Sequence, residues 1–418
     1  MSKLDEMIRA LCPDGVEYKR FDEVCTLNAR IGWQRLTKAE YMSKGDYLLI
    51  TGTDFTETHE IDYSTCVYVT EERYKQDLKI QLKNGDILIT KDGTLGKVAQ
   101  VKGLEMPATL NGGVFVVRCK DGSLENRFIL HYLLSNHFQS VVEQQKTGST
   151  ISHLTQTLFS RLMIPIPPLE IQREIVRILD NFTELTAELT AELTARKTQY
   201  SFYRSRLLTF DANVEWKTVD EIAEVTDYVA NGSFAALKEN VNYKHTPDYA
   251  ILVRTTDLVN GFDEENLVYI DKHAYNYLSK SKLYGGEIII NNIGAGVGTT
   301  FLCPCLDTYM SLAPNSIMVK TNNNKFYYYW LNSKEGQNAI RKIVSQGSLP
   351  KFNKTGFRSI RLPVPPLDVQ NRIVNVLDNF EKICSDLNIG LPAEIEARQK
   401  QYEYYRDKLL TFKEVAAT

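Results

Sequence analysis

The side chains best placed for chemistry sit in short polar turns after strand-like runs. Gly85–Thr90 (GDILIT) leads into Lys91, Asp92, Thr94 and Lys97, and Gly286–Asn291 (GEIIIN) ends in Asn291 and Asn292. Lysine and asparagine suit guanine and adenine edges in the major groove of DNA. Two later loops carry the same kinds of group: Lys146, Thr147, Ser149 and Thr150 in one, Gln346, Ser348 and Lys351 in the other, with Asn353 and Lys354 just beyond. Hydroxyls, amides, exposed backbone N–H groups and cations of this sort contact phosphates or base edges. Each residue type is equally at home in a solvated turn, and the residues alone leave both readings open.

Motifs for catalysis are missing around these turns. No Asn-Pro-Pro-Tyr/Phe tetrad of an amino-methyltransferase occurs, and Gly93-Thr-Leu-Gly96-Lys97 is too short for a nucleotide phosphate loop. Gly294-Ala-Gly296-Val-Gly298-Thr299 follows a strand but has no glycine at 299, so it reads as a tight turn beside a binding surface. The six histidines form no HExxH or triad-like group. Cys303-Pro-Cys305 has no second Cys/His pair near it in sequence, whereas structural zinc takes four ligands. The expectation is a chain without catalytic residues, without a metal and without a cofactor of its own.

At 418 residues the chain exceeds one ordinary core, and 43% hydrophobic with 24% charged residues is ordinary for a soluble globular protein. No long apolar run or signal-like N-terminus is present, and seven thinly spread cysteines fit free thiols, so a cytoplasmic protein without membrane contact is expected. The net charge of −3 gives no global sign of a polyanion partner. Locally, Lys325, Lys334, Arg341, Lys342, Lys351, Lys354, Arg358 and Arg361 face only Glu335, which reads either as a phosphate-facing surface or as a solvated helix face.

These turns are positioned by a repeat. Pro165–Phe182 (PIPPLEIQREIVRILDNF) matches Pro363–Phe380 (PVPPLDVQNRIVNVLDNF), and Arg196–Phe210 (RKTQYSFYRSRLLTF) matches Arg398–Phe412 (RQKQYEYYRDKLLTF). The similarity extends to Tyr47–Asp54 (YLLITGTD) with Ala250–Asp257 (AILVRTTD) and to the two strand-and-turn segments above. The chain is therefore two tandem copies, each a globular domain with short β-rich runs followed by a long helix. FILHYLLSNHFQSVVEQQ and FYYYWLNSKEGQNAIRKIV read as a helix late in each domain. The proline clusters read as stiff hinges after which the long helices begin. Leu179, Phe182, Leu185, Leu189 and Leu193, and in the second copy Leu377, Phe380, Ile383 and Leu387, mark apolar stripes that the two helices bury most economically on each other. The first helix contains Thr186-Ala-Glu-Leu189 and Thr190-Ala-Glu-Leu193, whereas Gly390-Leu-Pro392 should break or kink the second. One four-residue unit adds about 6 Å and drifts about 40° around a helix.

A variable domain, a Pro-x-Pro-Pro-Leu-x-x-Gln hinge, an LDNF helix and a QYxxYRxxLLTF helix end, all present twice, resemble the specificity subunit of type I restriction–modification systems. The opening LCPDGVEYK and the TAEL units are similar to that family as well. The resemblance implies an α+β fold: two mixed α/β target-recognition domains with curved sheets, joined by two long antiparallel coiled-coil helices in a pseudo-two-fold arrangement. It places recognition domains at 1–164 and 211–362 and spacer helices at 165–210 and 363–418. It implies a non-catalytic chain that reads a bipartite double-stranded DNA target. Partner subunits would do the chemistry: two modification (methyltransferase) subunits using S-adenosylmethionine, and restriction/translocase subunits using ATP and Mg2+. Two other classes stand beside this reading: a scaffold with duplicated binding domains that does not bind DNA, and an autonomous nuclease or methyltransferase, which the missing motifs disfavour.

Overall fold

The computed structural model describes residues 3–32, 35–147, 153–159, 161–211, 213–345, 347–386 and 388–415, without the side chains of 145–147. Two compact units result: unit 1 is Met1–Glu192 with Leu391–Thr418, and unit 2 is Leu193–Gly390. Each unit thus holds one globular domain, the start of its own long helix and the end of the other copy's.

Unit 1 contains β1 (Glu17–Arg20), β2 (Cys25–Asn28), β3 (Leu48–Ile50), β4 (Val67–Tyr68), β5 (Ile87–Thr90), β6 (Val98–Gln100), β7 (Ala108–Leu110), β8 (Val114–Cys119) and β9 (Met163–Ile166). They form an antiparallel pair β1-β9, a four-stranded sheet β2-β8-β5-β6 and a three-stranded sheet β4-β3-β7 in which β3 and β7 are parallel. Unit 2 contains β10 (Trp216–Thr218), β11 (Glu224–Asp227), β12 (Ala250–Val253), β13 (Tyr269–Ile270), β14 (Lys282–Leu283), β15 (Ile288–Asn291), β16 (Thr300–Leu302), β17 (Tyr309–Leu312), β18 (Ser316–Lys320) and β19 (Arg361–Pro363). Its sheets are β10-β19, β11-β18-β15-β16 and β13-β12-β17-β14, with β12 and β17 parallel. The order recurs strand for strand, and β14 is the addition.

The short apolar runs become strands buried on both faces. Along β5, Ile87 and Ile89 join the core shared with the helices, while Leu88 joins the core between the two sheets. Ile288, Ile289 and Ile290 of β15 divide the same way. Successive strand side chains point to opposite faces, so three aliphatic residues in a row serve two cores at once.

The helical layer departs from the sequence reading. In place of one late helix, unit 1 has Asn126–Leu134 and Asn136–Thr147, and unit 2 has Asn324–Leu331 and Lys334–Ile343. Serine is the cause: Ser333 Oγ accepts the Gly336 N–H at 3.1 Å, and Ser135 Oγ accepts the Phe138 N–H at 3.4 Å, restarting each helix as an N-cap. The prolines are also more anchored than a hinge. Pro165 lies in β9 opposite Tyr18 and Pro363 in β19 opposite Trp216, in two-stranded pairs that tolerate a missing N–H. The helices then begin at Leu169 and Leu367, directly after the last proline. The motif glutamine folds back over this corner: Gln172 Nε2 donates to the Pro167 carbonyl at 2.8 Å, and Gln370 Nε2 to that of Pro365 at 2.9 Å.

The first long helix runs unbroken over Leu169–Leu207. The second copy is broken as expected, into Leu367–Ser385 and Leu391–Leu409. Leu179 and Leu377 are fully buried, and Leu185, Leu189 and Leu193 are half-buried. Ile383 departs from the expected stripe: it is 40% exposed, and Cys384 takes the buried position beside it. Leu387 lies outside the described residues.

Start and end motifs meet crosswise. In unit 1, Phe182 of the first copy stacks on Tyr405 of the second at 5.4 Å between centroids. There the fully buried His131 has Nε2 2.8 Å from Asp180 and Nδ1 3.0 Å from the Tyr402 hydroxyl, and Arg127 Nε also donates to Asp180 at 3.1 Å. In unit 2, Phe380 packs on Tyr200 and Tyr203. Tyr329 stands where unit 1 has His131, donating to Asp378 at 2.7 Å and Glu381 at 2.9 Å, while Tyr200 donates to Glu381 at 2.9 Å and Lys325 pairs with Asp378 at 2.7 Å. In each unit the LDNF of one copy closes on the QYxxYR of the other. This exchange is what antiparallel pairing of the helical segments requires.

Burial holds the His131 pKa below its ordinary 6.5 despite Asp180, so the ring is neutral at pH 7, donating from Nε2 and accepting at Nδ1. Tyr402→Phe removes the donor to a buried nitrogen and should cost about 1–3 kcal/mol in denaturant unfolding. The exposed Tyr404→Phe should change stability by less than about 0.5 kcal/mol. A folded pKa below the unfolded one gives stability that is complete above pH 6.5 and declines as pH falls below it. Calorimetry between neutral and mildly acidic pH should show this decline in the wild type and a flatter profile in His131→Gln.

Candidate nucleic-acid interface

The turns after β5 and β15 share one backbone frame. Lys91 N–H bonds to the Gly113 carbonyl at 2.8 Å and its carbonyl accepts from Leu154 at 3.0 Å; Asn292 makes the matching bonds to Asn315 and Phe352, both at 3.1 Å. Gly96 and Gly298 close the two turns with positive φ, at 80° and 90°. Each carbonyl accepts from a glutamine on the helix behind, Gln139 at 3.0 Å and Gln337 at 3.2 Å. A Cβ on Gly96 would come within 2.8 Å of Val142, and one on Gly298 within 3.0 Å of Ile340, so the turns lie hard against that helix.

On this common frame the side chains differ. In unit 1, Lys91 Nζ lies 5.1 Å from the Phe115 ring centre, Asp92 pairs with His153 Nδ1 at 2.5 Å, and Thr94 and Lys97 are exposed. In unit 2, the Asn292 amide donates to the Phe352 carbonyl at 3.3 Å, and the Asn291 amide oxygen accepts from the Ile293 N–H at 3.3 Å. Both asparagines therefore help hold their own turn.

The unit 1 turn opens onto a cleft of about 480 Å³ that also takes in Arg35, Thr51–Thr53 and Asn111–Gly113. The turns following β3, β5 and β7 converge there. The hydroxyls of Thr51, Thr53 and Thr94, an amide, a carboxylate and one guanidinium line it with little net charge, a set suited to base edges more than to phosphates, while the buried Thr90 hydroxyl donates to the Thr94 carbonyl inside the turn. Thr51 is fixed by Asp54, whose Oδ2 accepts the Thr51 N–H at 2.7 Å. In unit 2 the same bond runs from Arg254 to Asp257 at 2.8 Å, so an arginine occupies the place of Thr51. Arg35, Thr51, Thr53 and Asn111 escaped the sequence reading. The pairing of YLLITGTD with AILVRTTD was visible, but nothing in it shows that this turn lies beside the one after β5.

The second set of loops is described in part. Lys146 and Thr147 end a helix, with side chains outside the described residues, as are Ser149, Thr150 and Gln346 altogether. Ser348 and Lys351 are exposed, and Lys351 bridges to Ile293 of the β15 turn. Asn353 caps the helix Lys354–Arg358 by accepting the Gly356 N–H at 2.8 Å, and Lys354 pairs with Asp227 at 2.8 Å. These two side chains are thus engaged within the fold. Burial pushes the Cys303 thiol up to about 12, and among the described residues no group of three His, Cys, Asp or Glu is placed to hold a metal.

Comparison with known proteins agrees with this duplicated plan. The type I restriction modification DNA specificity domain matches twice, over residues 13–196 and 213–397. The type I restriction enzyme EcoR124I/EcoR124II specificity subunit of Escherichia coli is 31% identical over 312 residues, 71% of this chain and 73% of that protein. A putative type I restriction enzyme specificity subunit of Haemophilus influenzae is 31% identical over 317 residues, 72% and 76% of the two chains. Among solved structures, a chain from a type I restriction–modification complex has a TM-score of 0.56 at 14% identity, covering 95% of this chain and 98% of its own. The S subunit from M. genitalium has a TM-score of 0.51 at 16% identity, covering 95% and 96%. At such identities the structural likeness bears on the fold, and the sequence matches carry the kinship. The chain belongs to the family of type I restriction–modification DNA specificity subunits.

Proposed function

We propose that this chain is the non-catalytic recognition subunit of a type I restriction–modification enzyme. It reads a bipartite duplex target, one half with the domain at 1–164 and the other with the domain at 211–362. Through its helices it directs two modification subunits, which use S-adenosylmethionine, and the restriction subunits, which use ATP and Mg2+. The observation that carries this reading is the double match to the specificity domain on one repeated strand order whose turns bear unlike side chains. A duplicated frame with matching surfaces would suit a symmetric target. Unlike surfaces on the same frame suit two different half-sites. The approximate symmetry also fits placing two partner subunits on opposite DNA strands. Among the described residues, no helix is long and apolar enough to cross a membrane.

Two outcomes are expected from methylome sequencing of cells that carry the chain with a matching modification subunit. Exchange of Phe21–Leu162 for the equivalent segment of another specificity subunit leaves the β1-β9 pair in place. It should change one half-site and keep the other; a change in both would count against separate readers. Deletion of Thr190–Leu193 shortens the unbroken helix by one four-residue unit, about 6 Å. It should narrow the gap between half-sites by about one to two base pairs, at about 3.4 Å each, with both half-sites still read. An unchanged gap would remove the helix from the role of spacer.

A further inference from the structure

The cation run of the second domain splits into two groups. Lys325, Lys354 and Arg358 face Asp378, Asp227 and Asp220 at 2.7, 2.8 and 3.6 Å, and Arg361 donates to the Trp216 carbonyl at 2.8 Å. Lys334, Arg341, Lys342 and Lys351 are exposed, and none has an acidic partner within ion-pair distance among the described residues. The first three lie at i, i+7 and i+8 on the helix Lys334–Ile343, on one face and away from the buried Gly336 and Ile340.

Helix stability does not account for this face. Arg341 and Lys342 in the last turn suit the negative end of the helix dipole, but Lys334 in the first turn opposes the positive end. Unit 1 supplies an internal control. Gln139 and Gln337 hold the two helices alike, each donating to the turn glycine and to a helix-end carbonyl, Leu133 at 2.7 Å and Leu331 at 2.9 Å. In that alignment Lys334, Arg341 and Lys342 correspond to Asn136, Glu143 and Gln144. The same helix in the same place is cationic in one unit and not in the other. The cationic face also borders the β15 turn, since Gln337 bonds to Gly298 and Lys351 bridges to Ile293.

We propose that the exposed face of Lys334–Ile343, together with Lys351, is a binding surface for the phosphate backbone of duplex DNA, present in unit 2 and absent from the equivalent helix of unit 1. The inference rests on the DNA-recognition reading and adds a division of labour. Unit 2 supplies the larger share of sequence-independent, salt-dependent affinity, and unit 1, with its hydroxyl-lined and nearly neutral cleft, contributes mainly discrimination.

The test is the salt dependence of binding, measured by fluorescence anisotropy on the chain assembled with modification subunits. The probes are a duplex of arbitrary sequence and one carrying the methylated target. Joint substitution Lys334→Gln, Arg341→Gln, Lys342→Gln and Lys351→Gln should lower the slope of log affinity against log salt by about 3–4, at about 0.9 for each phosphate no longer neutralised. Affinity for both duplexes should fall together, leaving their ratio unchanged. Asn136→Lys with Glu143→Arg and Gln144→Lys, which transplants the face to unit 1, should steepen the slope. An unchanged slope in the first variant would overturn the proposal, as would loss of target preference with arbitrary-sequence binding intact, because the four residues would then be base readers. A wild-type complex with no salt-dependent duplex affinity would fail both this inference and the DNA-recognition reading. Wild-type binding with an insensitive variant fails the inference alone.

Discussion

Each half of this protein depends on a helix end contributed by the other half. Leu179 and Leu377 anchor the start of each copy's helix, and the aromatic and acidic side chains around them are satisfied by residues far away in sequence, as Tyr402 satisfies His131 and Tyr200 meets Glu381. Tyr402 and Leu410 belong to the unit 1 core, and Leu208 belongs to that of unit 2. Neither copy closes its own core with its own helix end. In unit 1 the exchange is completed near the C-terminal end of the chain, where Val16 N–H bonds to the Lys413 carbonyl at 2.9 Å and Val415 N–H to that of Val16 at 3.1 Å. The cost of leaving a buried group such as His131 Nδ1 unpaired makes this arrangement specific as well as stable.

From that closure the rest of the fold follows in layers. The helical layer presses on the four-stranded sheet, and the doubly buried strands β5 and β15 each link two cores of their unit. Their last residues emerge into the glycine turns, which the helix behind pins through Gln139 and Gln337. A backbone held this firmly tolerates exchange of the side chains it carries. Threonine stands against arginine at 51 and 254, lysine against asparagine at 91 and 292, and a neutral helix face against a cationic one. Under the proposed function, the scaffold fixes where each side chain is offered and the side chain decides what is read.

Much of this was legible in sequence because duplication makes it so. The matched PxPPLxxQ…LDNF and QYxxYRxxLLTF blocks announced two copies, and Gly390 with Pro392 announced the break between Ser385 and Leu391. The helical periodicity, by contrast, ran straight through Ser135 and Ser333, because a serine cap leaves the apolar pattern intact on both sides. Ile383 looked like a stripe residue by spacing, yet the helix turns Cys384 inward near its end. The crosswise exchange follows from the antiparallel pairing that the family resemblance implies and not from the motifs themselves, since near-identical motifs carry no label of which copy they meet. Asn353 and Lys354 have the chemistry of DNA-contacting residues but are engaged within the fold, whereas Arg35, Thr51 and Asn111 join the cleft only because three strand ends converge.

Under the proposed function, two independently shaped readers on one frame define one recognition event. The most direct test is to map the methylated motif written by a modification subunit guided by the unaltered chain. Two-reader recognition predicts two different short half-sites separated by a fixed stretch of unspecified base pairs, with the two strands methylated one in each half-site. A single contiguous motif, or a palindrome with identical halves, would contradict it.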